Sequence, residues 1–133
     1  MKTRLFIMLT LLCVVQTYAQ NCEPQTSGLY ISDTPDKDGN RRYLRFTENK
    51  TVLSVFSDER TDYIFRWLKS GQDGIDEANY KMEGCTIKYS IKKNKDRYFF
   101  TGKLTDDHIH LKIYKSKNNK PLEFDYNFKE LKK

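Results

Sequence analysis

The sequence contains few of the residues that carry catalysis or build a covalent framework. Its 133 residues include three cysteines, three prolines, two histidines and one tryptophan. It has no Gly-x-Ser-x-Gly nucleophile elbow and no glycine-rich phosphate loop. No pair of carboxylates stands in an apolar stretch that would separate their pKa values. These absences argue against acyl transfer, nucleotide chemistry and acid–base catalysis, so an enzyme is the less favoured class and no cofactor is expected.

Long apolar runs are also scarce, and the one present lies at the N-terminus. It extends from Leu5 to Val15, follows Lys2 and Arg4, and precedes a short segment that ends in Ala19. This order of charged, apolar and small residues is typical of a secretory signal peptide. The run is shorter than the roughly 20 apolar residues that a membrane span needs. We therefore expect residues 1–19 to be a signal peptide cleaved near Ala19, a secreted or periplasmic location and no membrane span.

The remaining residues, 20–133, are enough for a single domain with its own core. The whole chain has a formal net charge of +6. The excess of lysine lies in residues 85–133, where lysines alternate with apolar residues. Interleaved lysines of this kind are typical of a solvated sheet face, not of a nucleic-acid surface. No nucleic-acid partner is therefore expected.

Removal of the leader takes Cys13 with it and leaves Cys22 and Cys85. An even number of cysteines in an exported protein favours a disulfide. Two inert thiols are the alternative. A catalytic cysteine would need a histidine partner, and His108 and His110 are the candidates, on a different segment.

Apolar and polar residues alternate with a period of two through most of residues 28–131, which is the strand periodicity. Short stretches rich in Asn, Asp, Gly and Lys separate the alternating segments, as turns require. The pattern predicts an all-β fold, an antiparallel up-and-down meander of about eight strands. The predicted strands are 28–33, 41–47, 51–58, 78–84, 85–93, 97–105, 108–116 and 121–131.

One segment between the third and fourth predicted strands changes its period. In "DERTDYIFRWLKSG", Ile64, Trp67 and Leu68 recur at helical spacing, while Tyr63, Phe65 and Trp67 alternate as in a strand. The polar positions favour the helix. We expect a short helix that closes one end of the barrel with Trp67.

Most predicted strands have one apolar and one polar face, the pattern of a sheet curled around its own core. Closure also removes the exposed edges of a flat sheet. The polar faces include Arg45, His108, His110 and Lys112. The expected inward set is Leu44, Phe46, Leu53, Val55, Ile87, Tyr89, Ile91, Phe100, Leu104, Ile109, Leu111, Ile113, Phe124, Tyr126 and Phe128.

Several short motifs resemble those of a known family. They are Gly28-Leu-Tyr30, Tyr43-Leu-Arg-Phe46, Asn49-Lys-Thr-Val52, Trp67-Leu68, Asn79-Tyr80, Ile87-Lys-Tyr-Ser90, Phe100-Thr-Gly-Lys-Leu104, Leu111 and Tyr126-Asn-Phe128. On these residues the chain resembles the small secreted lipocalin-like (calycin-type) β-barrel domains of bacteria. The resemblance implies a lipocalin-like barrel over most of residues 20–133 and supplies no catalytic residue.

His108 and His110 are two residues apart and share one strand face, a geometry that metal sites use. Asp106 and Asp107 are close by in the sequence. Zinc needs a third or fourth ligand, and the sequence offers no second histidine or cysteine cluster to supply it. We therefore expect two solvent-facing histidines and no metal site.

The expected function is the binding of a small apolar or amphipathic ligand at one mouth of the barrel. Inward tyrosine hydroxyls need polar partners, and these are available near an opening. The expected ligand-contacting residues are Tyr30, Tyr89 and Tyr126, with Trp67 closing the other end. The alternative is a module with a filled core that binds or inhibits a protein partner through its loops 34–40 and 70–78.

Overall fold

The computed structural model describes residues 22–115 and 120–131, so the expected leader, residues 1–19, lies outside the described residues. Within these ranges the chain forms nine strands and one helix. In the described part of the chain, no helix has the length and apolar character of a membrane span. The elements are β1 Gly28–Ser32, β2 Arg41–Phe46, β3 Thr51–Ser57, α1 Thr61–Trp67, β4 Asp76–Asn79, β5 Lys81–Glu83, β6 Thr86–Lys93, β7 Asp96–Thr105, β8 His108–Lys115 and β9 Leu122–Glu130.

The strands pair in the order β4-β3-β2-β1-β9-β8-β7-β6-β5, and every pair is antiparallel. The first and last strands pair with each other from Gly28 opposite Glu130 to Ser32 opposite Tyr126. This pairing closes the meander into a nearly complete barrel, because the two remaining sheet ends, β4 and β5, are consecutive in the chain. The predicted all-β fold is confirmed.

The strand count differs from the expected eight at one place. The segment predicted as one strand, 78–84, is divided at Tyr80 into β4, which pairs with β3, and β5, which pairs with β6. Tyr80 donates its backbone N–H to Lys50 O at 3.1 Å. Its buried ring meets Phe46 edge-to-face at 5.4 Å. The chain thus changes strand partner where a large side chain turns into the core.

Tight turns connect the strands of the second half. Gly84, Asn94 and Asp106 have φ values of 60°, 57° and 44°, in the left-handed region. Asn and Asp tolerate this region better than other residues with a Cβ atom, and glycine enters it freely. The Asn, Asp and Gly residues that predicted these turns in the sequence are therefore the ones that can adopt the backbone conformation the turns require.

The barrel interior is filled by a set of side chains that we call the inner core. The predicted inward residues of β2 and β6–β9 belong to it, as does Val52 of β3. Its buried members are Tyr30, Leu44, Phe46, Val52, Tyr80, Ile87, Tyr89, Leu104, Ile109, Leu111, Ile113 and Tyr126.

A second set of buried side chains, the outer cluster, lies on the opposite face of β1–β3. It contains Leu29, Tyr43, Leu53, Ile64, Phe65 and Leu68. Helix α1 covers this face, so the expectation that the helix closes one end of the barrel with Trp67 is wrong. The inward assignment of Leu53 and Val55 is also wrong, because both pack in or against the outer cluster. Because α1 packs on the outside of β1–β3, these strands carry apolar residues on both faces. The alternation in the sequence then no longer shows which face points inward.

Arg45 fastens the helix to the barrel wall. Its Nη1 donates to Phe65 O at 2.7 Å and to Leu68 O at 3.0 Å, and its guanidinium lies 4.3 Å from the centre of the Phe65 ring. These carbonyls belong to the last turn of the helix, which has no later N–H groups to bind. Burial lowers the pKa of Arg45. A residue assigned to a solvated face therefore caps a helix.

The segment before β1 crosses one end of the barrel, which we call the closed end. Three of its residues contact three different hairpin turns: Glu23 pairs with Lys50 at 3.4 Å, Gln25 binds Asp107, and Cys22 forms a disulfide with Cys85. Cys22 also packs against the inner core. The predicted disulfide is present, with a Cα–Cα distance of 4.9 Å.

We expect the double substitution Cys22→Ala/Cys85→Ala to lower the free energy of unfolding by about 4 kcal/mol in the chain-entropy model. The disulfide joins residues 63 apart in the sequence, so it removes much of the freedom of the unfolded chain. Denaturant unfolding with and without dithiothreitol measures the effect, and reduced wild type serves as the control. Equal stability of the oxidised wild type and the double variant would contradict the prediction.

Candidate ligand site at the open end of the barrel

The opposite end of the barrel, the open end, holds a cavity of about 230 Å³. The β1–β2 loop, residues 33–40, and the β6–β7 turn lie at this end. One part of the cavity wall is apolar and the other polar. Its lining residues are Arg42, Ser54, Asp76, Ile91, Lys93, Tyr98, Phe100, Ile113 and Leu122.

The cavity does not continue toward the closed end, because the middle of the barrel is packed. Tyr89 stacks on Phe100 with ring centres 4.5 Å apart. A Cβ atom at Gly102 would come within 2.9 Å of Ile87 and within 3.1 Å of Leu111. The packing around Gly102 has no room for one more methyl group. No channel therefore runs from the cavity through this part of the barrel.

Charged side chains surround this mouth, and four of them form two ion pairs. Lys93 Nζ lies 2.9 Å from Asp76, and Lys115 Nζ lies 3.3 Å from Asp96. Arg42 is different. In the described part of the chain, no carboxylate lies within ion-pair distance of its guanidinium.

The guanidinium of Arg42 instead lies against two aromatic rings. Its central carbon is 4.5 Å from the centre of the Phe124 ring and 5.4 Å from that of Phe56. Cation–π contacts of this kind hold an arginine in place without using its N–H groups. Arg42 also lines the larger, shallower cleft of about 460 Å³ under the β1–β2 loop, so the two spaces meet at this residue.

Two buried tyrosines, Tyr89 and Tyr126, are close enough to Arg42 for its charge to act on their hydroxyls. Burial raises the pKa of Tyr89 well above its ordinary value, and it raises the pKa of Tyr126 to about 12. The positive charge of Arg42 opposes this increase at both hydroxyls. Both groups are therefore protonated donors at neutral pH. The hydroxyl of Tyr89 is buried and has no hydrogen-bond partner among the described residues.

The structure brings together two of the four residues expected at the ligand. Tyr89 and Tyr126 both lie in the inner core, close enough to influence each other electrostatically, but neither lines the cavity. Tyr30 lies toward the closed end, where its hydroxyl accepts a hydrogen bond from Gln25 N at 3.0 Å. Trp67 is the last residue of α1, outside the inner core. The tyrosine that lines the cavity itself, Tyr98, was not expected there.

The polar residues of the cavity were missed in the sequence, although a signal was present. Arg42 has the same phase on β2 as Leu44 and Phe46, whose side chains point inward. Asp76 has the same phase on β4 as Ala78, which packs against the inner core. A charged residue in the inward phase at the end of a strand marks a polar mouth.

A separate cluster of two histidines and two carboxylates lies on the outer face of β8 and β9. The Oδ1 atom of Asp125 is 3.0 Å from His108 Nε2 and 2.8 Å from His110 Nδ1, and Glu123 is 3.2 Å from His110 Nε2. Asp33, His108 and Asp125 each have a metal-ligand type of atom within 4.8 Å of the others. We expected no metal site because the sequence offered no third ligand beside the two histidines. In the structure, Asp33 of the β1–β2 loop lies close to His108 and Asp125. The histidines are paired with carboxylates and half-exposed.

No protein-family model and no curated protein matches the chain. Among solved structures, a fatty-acid-binding protein isolated from Manduca sexta is similar with a TM-score of 0.49 and 12% sequence identity. The alignment covers 77% of this chain and 99% of that protein. At this level of similarity, nothing about the ligand of this chain follows from that structure.

The unpartnered hydroxyl of Tyr89 can be tested by substitution. We expect Tyr89→Phe to raise the free energy of unfolding of the ligand-free protein by about 1 kcal/mol, because a buried donor without a partner costs about that much or more. The matched variant Tyr30→Phe should lower it, because Gln25 N–H loses its acceptor. Denaturant unfolding measures both, and a loss of stability in Tyr89→Phe would show that its hydroxyl is already satisfied.

The pair of His110 and Asp125 gives a pH test. Hydrogen bonds to Asp125 and Glu123 raise the pKa of His110 above 6.5, and the bond to His110 lowers the pKa of Asp125 below 3.8. The stabilisation by His110 is complete below pH 6.5 and is lost as pH rises through its folded pKa. The stabilisation by Asp125 is complete above pH 3.8 and is lost as pH falls through its folded pKa.

We therefore expect wild type to exceed His110→Gln in stability most between about pH 4 and 6.5. The difference should stay below about 1 kcal/mol, because the pair is exposed. Unfolding curves across pH measure it. Lys92→Gln, which removes an exposed lysine on β6 away from this pair, is the control and should show a constant difference. A difference in His110→Gln that does not vary with pH would exclude the pairing.

Proposed function

We propose that this protein binds a small amphipathic molecule at the open end of its barrel and does so without catalysis. The observation that carries the proposal is the divided wall of the 230 Å³ cavity. Ile91, Phe100 and Ile113 offer an apolar surface, while Arg42, Ser54 and Asp76 offer polar atoms. Ligand sites in proteins commonly combine apolar walls with a few placed polar groups.

The size of the cavity limits the ligand. Small-molecule sites typically measure about 300–1,000 Å³, and this cavity lies below that range. The packed region around Gly102 blocks extension into the barrel. A compact ligand therefore fits, with its polar end toward Arg42, and a long acyl chain does not.

We also propose that the protein acts after export. The leader pattern of residues 1–19 supports this, and so does the disulfide between Cys22 and Cys85, since such bonds persist in oxidising compartments. The test is the intact mass of protein recovered from its own source. We expect a mass that corresponds to the chain without residues 1–19.

The ligand proposal is tested by native mass spectrometry of protein purified from its own source. We expect one retained small molecule per chain. Ile91→Trp should remove it, because the larger ring occupies the cavity. Lys92→Trp is the matched control, since Lys92 is exposed and next to Ile91 on β6. The same retained mass in wild type and Ile91→Trp, or the mass of a long-chain fatty acid, would contradict the proposal.

The alternative function, a module that binds a protein partner, is supported by two exposed side chains at the rim. Phe56 is 51% exposed and Leu122 is 62% exposed. Both lie at the open end, Phe56 beside Arg42 and Leu122 in the cavity wall. Surface apolar groups at a rim are typical contact points for a partner. This function predicts that Phe56→Ser impairs binding while Ile91→Trp leaves it intact.

A further inference from the structure

Two cations line the cavity, Lys93 and Arg42, and of these two only Lys93 has an ion pair among the described residues. Lys93 is neutralised by Asp76 and Lys115 by Asp96, at 2.9 and 3.3 Å. Arg42 faces the same cavity, and no carboxylate in the described part of the chain is within ion-pair distance of it. A partly buried cation without a counter-ion is unfavourable. Arg42 is therefore the cation of this wall that is available to a bound anion, while Asp33, Asp36, Glu123 and Asp125 line the neighbouring cleft that also reaches Arg42.

The geometry around Arg42 leaves its hydrogen-bonding groups available. The rings of Phe124 and Phe56 contact the guanidinium at 4.5 and 5.4 Å and fix its position. No hydrogen bond from its side chain to a described residue is present, although its backbone N–H donates to Ser32 Oγ at 2.9 Å. A guanidinium offers two parallel N–H donors, which match the two oxygens of a carboxylate.

A second donor, the hydroxyl of Tyr89, lies behind the cavity wall. Tyr89 is 7% exposed and its hydroxyl has no partner among the described residues, while its ring is fixed by stacking on Phe100. Phe100 itself lines the cavity. Buried hydroxyls are nearly always hydrogen-bonded in folded proteins. An acceptor supplied by a ligand would satisfy this one.

We infer that the cavity takes a compact organic monoanion, with its carboxylate bound by the guanidinium of Arg42 and the hydroxyl of Tyr89. Its short apolar or aromatic part packs on Ile91, Phe100 and Ile113. A second negative charge would have no further unpaired cation in this wall, because Lys93 is already paired with Asp76. This inference rests on the proposed ligand site and names the chemical class of its ligand.

The test compares two probes that differ only in charge, 3-phenylpropanoate and 3-phenylpropanamide, by isothermal titration at pH 7. We expect wild type to bind the carboxylate at least about tenfold more tightly, since hydrogen bonds to charged groups are the stronger ones. Arg42→Gln should bring the two affinities to near equality without changing that for the amide. Arg97→Gln is the control for net charge, because Arg97 lies on the exposed outer face and binds Ser90.

A second variant keeps the inference testable if Arg42→Gln does not fold. Tyr89→Phe retains the stacked ring and should weaken carboxylate binding more than amide binding. Equal affinities of wild type for both probes would overturn the inference and leave the ligand site standing. Binding of neither probe would overturn the ligand site and the inference together. An equal loss in Arg42→Gln and Arg97→Gln would show a surface charge effect and overturn the assignment to Arg42.

Discussion

Closure of the sheet is the constraint on which the rest of this structure depends. The pairing of β1 with β9 joins the first and last strands, and the change of strand partner at Tyr80 brings the two remaining edges, β4 and β5, next to each other in the chain. A closed sheet encloses a fixed volume, and side chains then either fill that volume or leave a cavity. Here large residues fill the middle and the closed end, so the space that remains is at the mouth.

The periodicity of the sequence predicted the sheet well because the second half of the barrel follows one rule. In β6–β9 every second side chain enters the inner core and the others face water, so apolarity reports direction. Asn94 and Asp106 marked their turns for the same local reason, namely tolerance of positive φ. These features depend on near neighbours in the chain and are readable without the fold.

The first half was predicted less well because its strands are covered on both faces. Leu53 belongs to the outer cluster and Val52 to the inner core, so apolarity no longer distinguishes inside from outside. The position of α1 is decided by Arg45, whose bonds to Phe65 and Leu68 span about 20 residues of sequence. The candidate site depends on distant strands in the same way. Arg42 and Asp76 line one cavity because β2, β3 and β4 are neighbours in the sheet, which no local pattern encodes.

The helix and the mouth are physically connected through β2. Tyr43 packs in the outer cluster and Leu44 in the inner core, and these are the two residues that follow Arg42 in the chain. A strand held on both faces cannot shift without disturbing one of the two cores, so the backbone that carries Arg42 is fixed before any ligand arrives. Binding at a fixed guanidinium avoids the entropy of ordering it. The outer helix contributes no residue to the cavity lining, and it supports the site by holding the strand that carries Arg42.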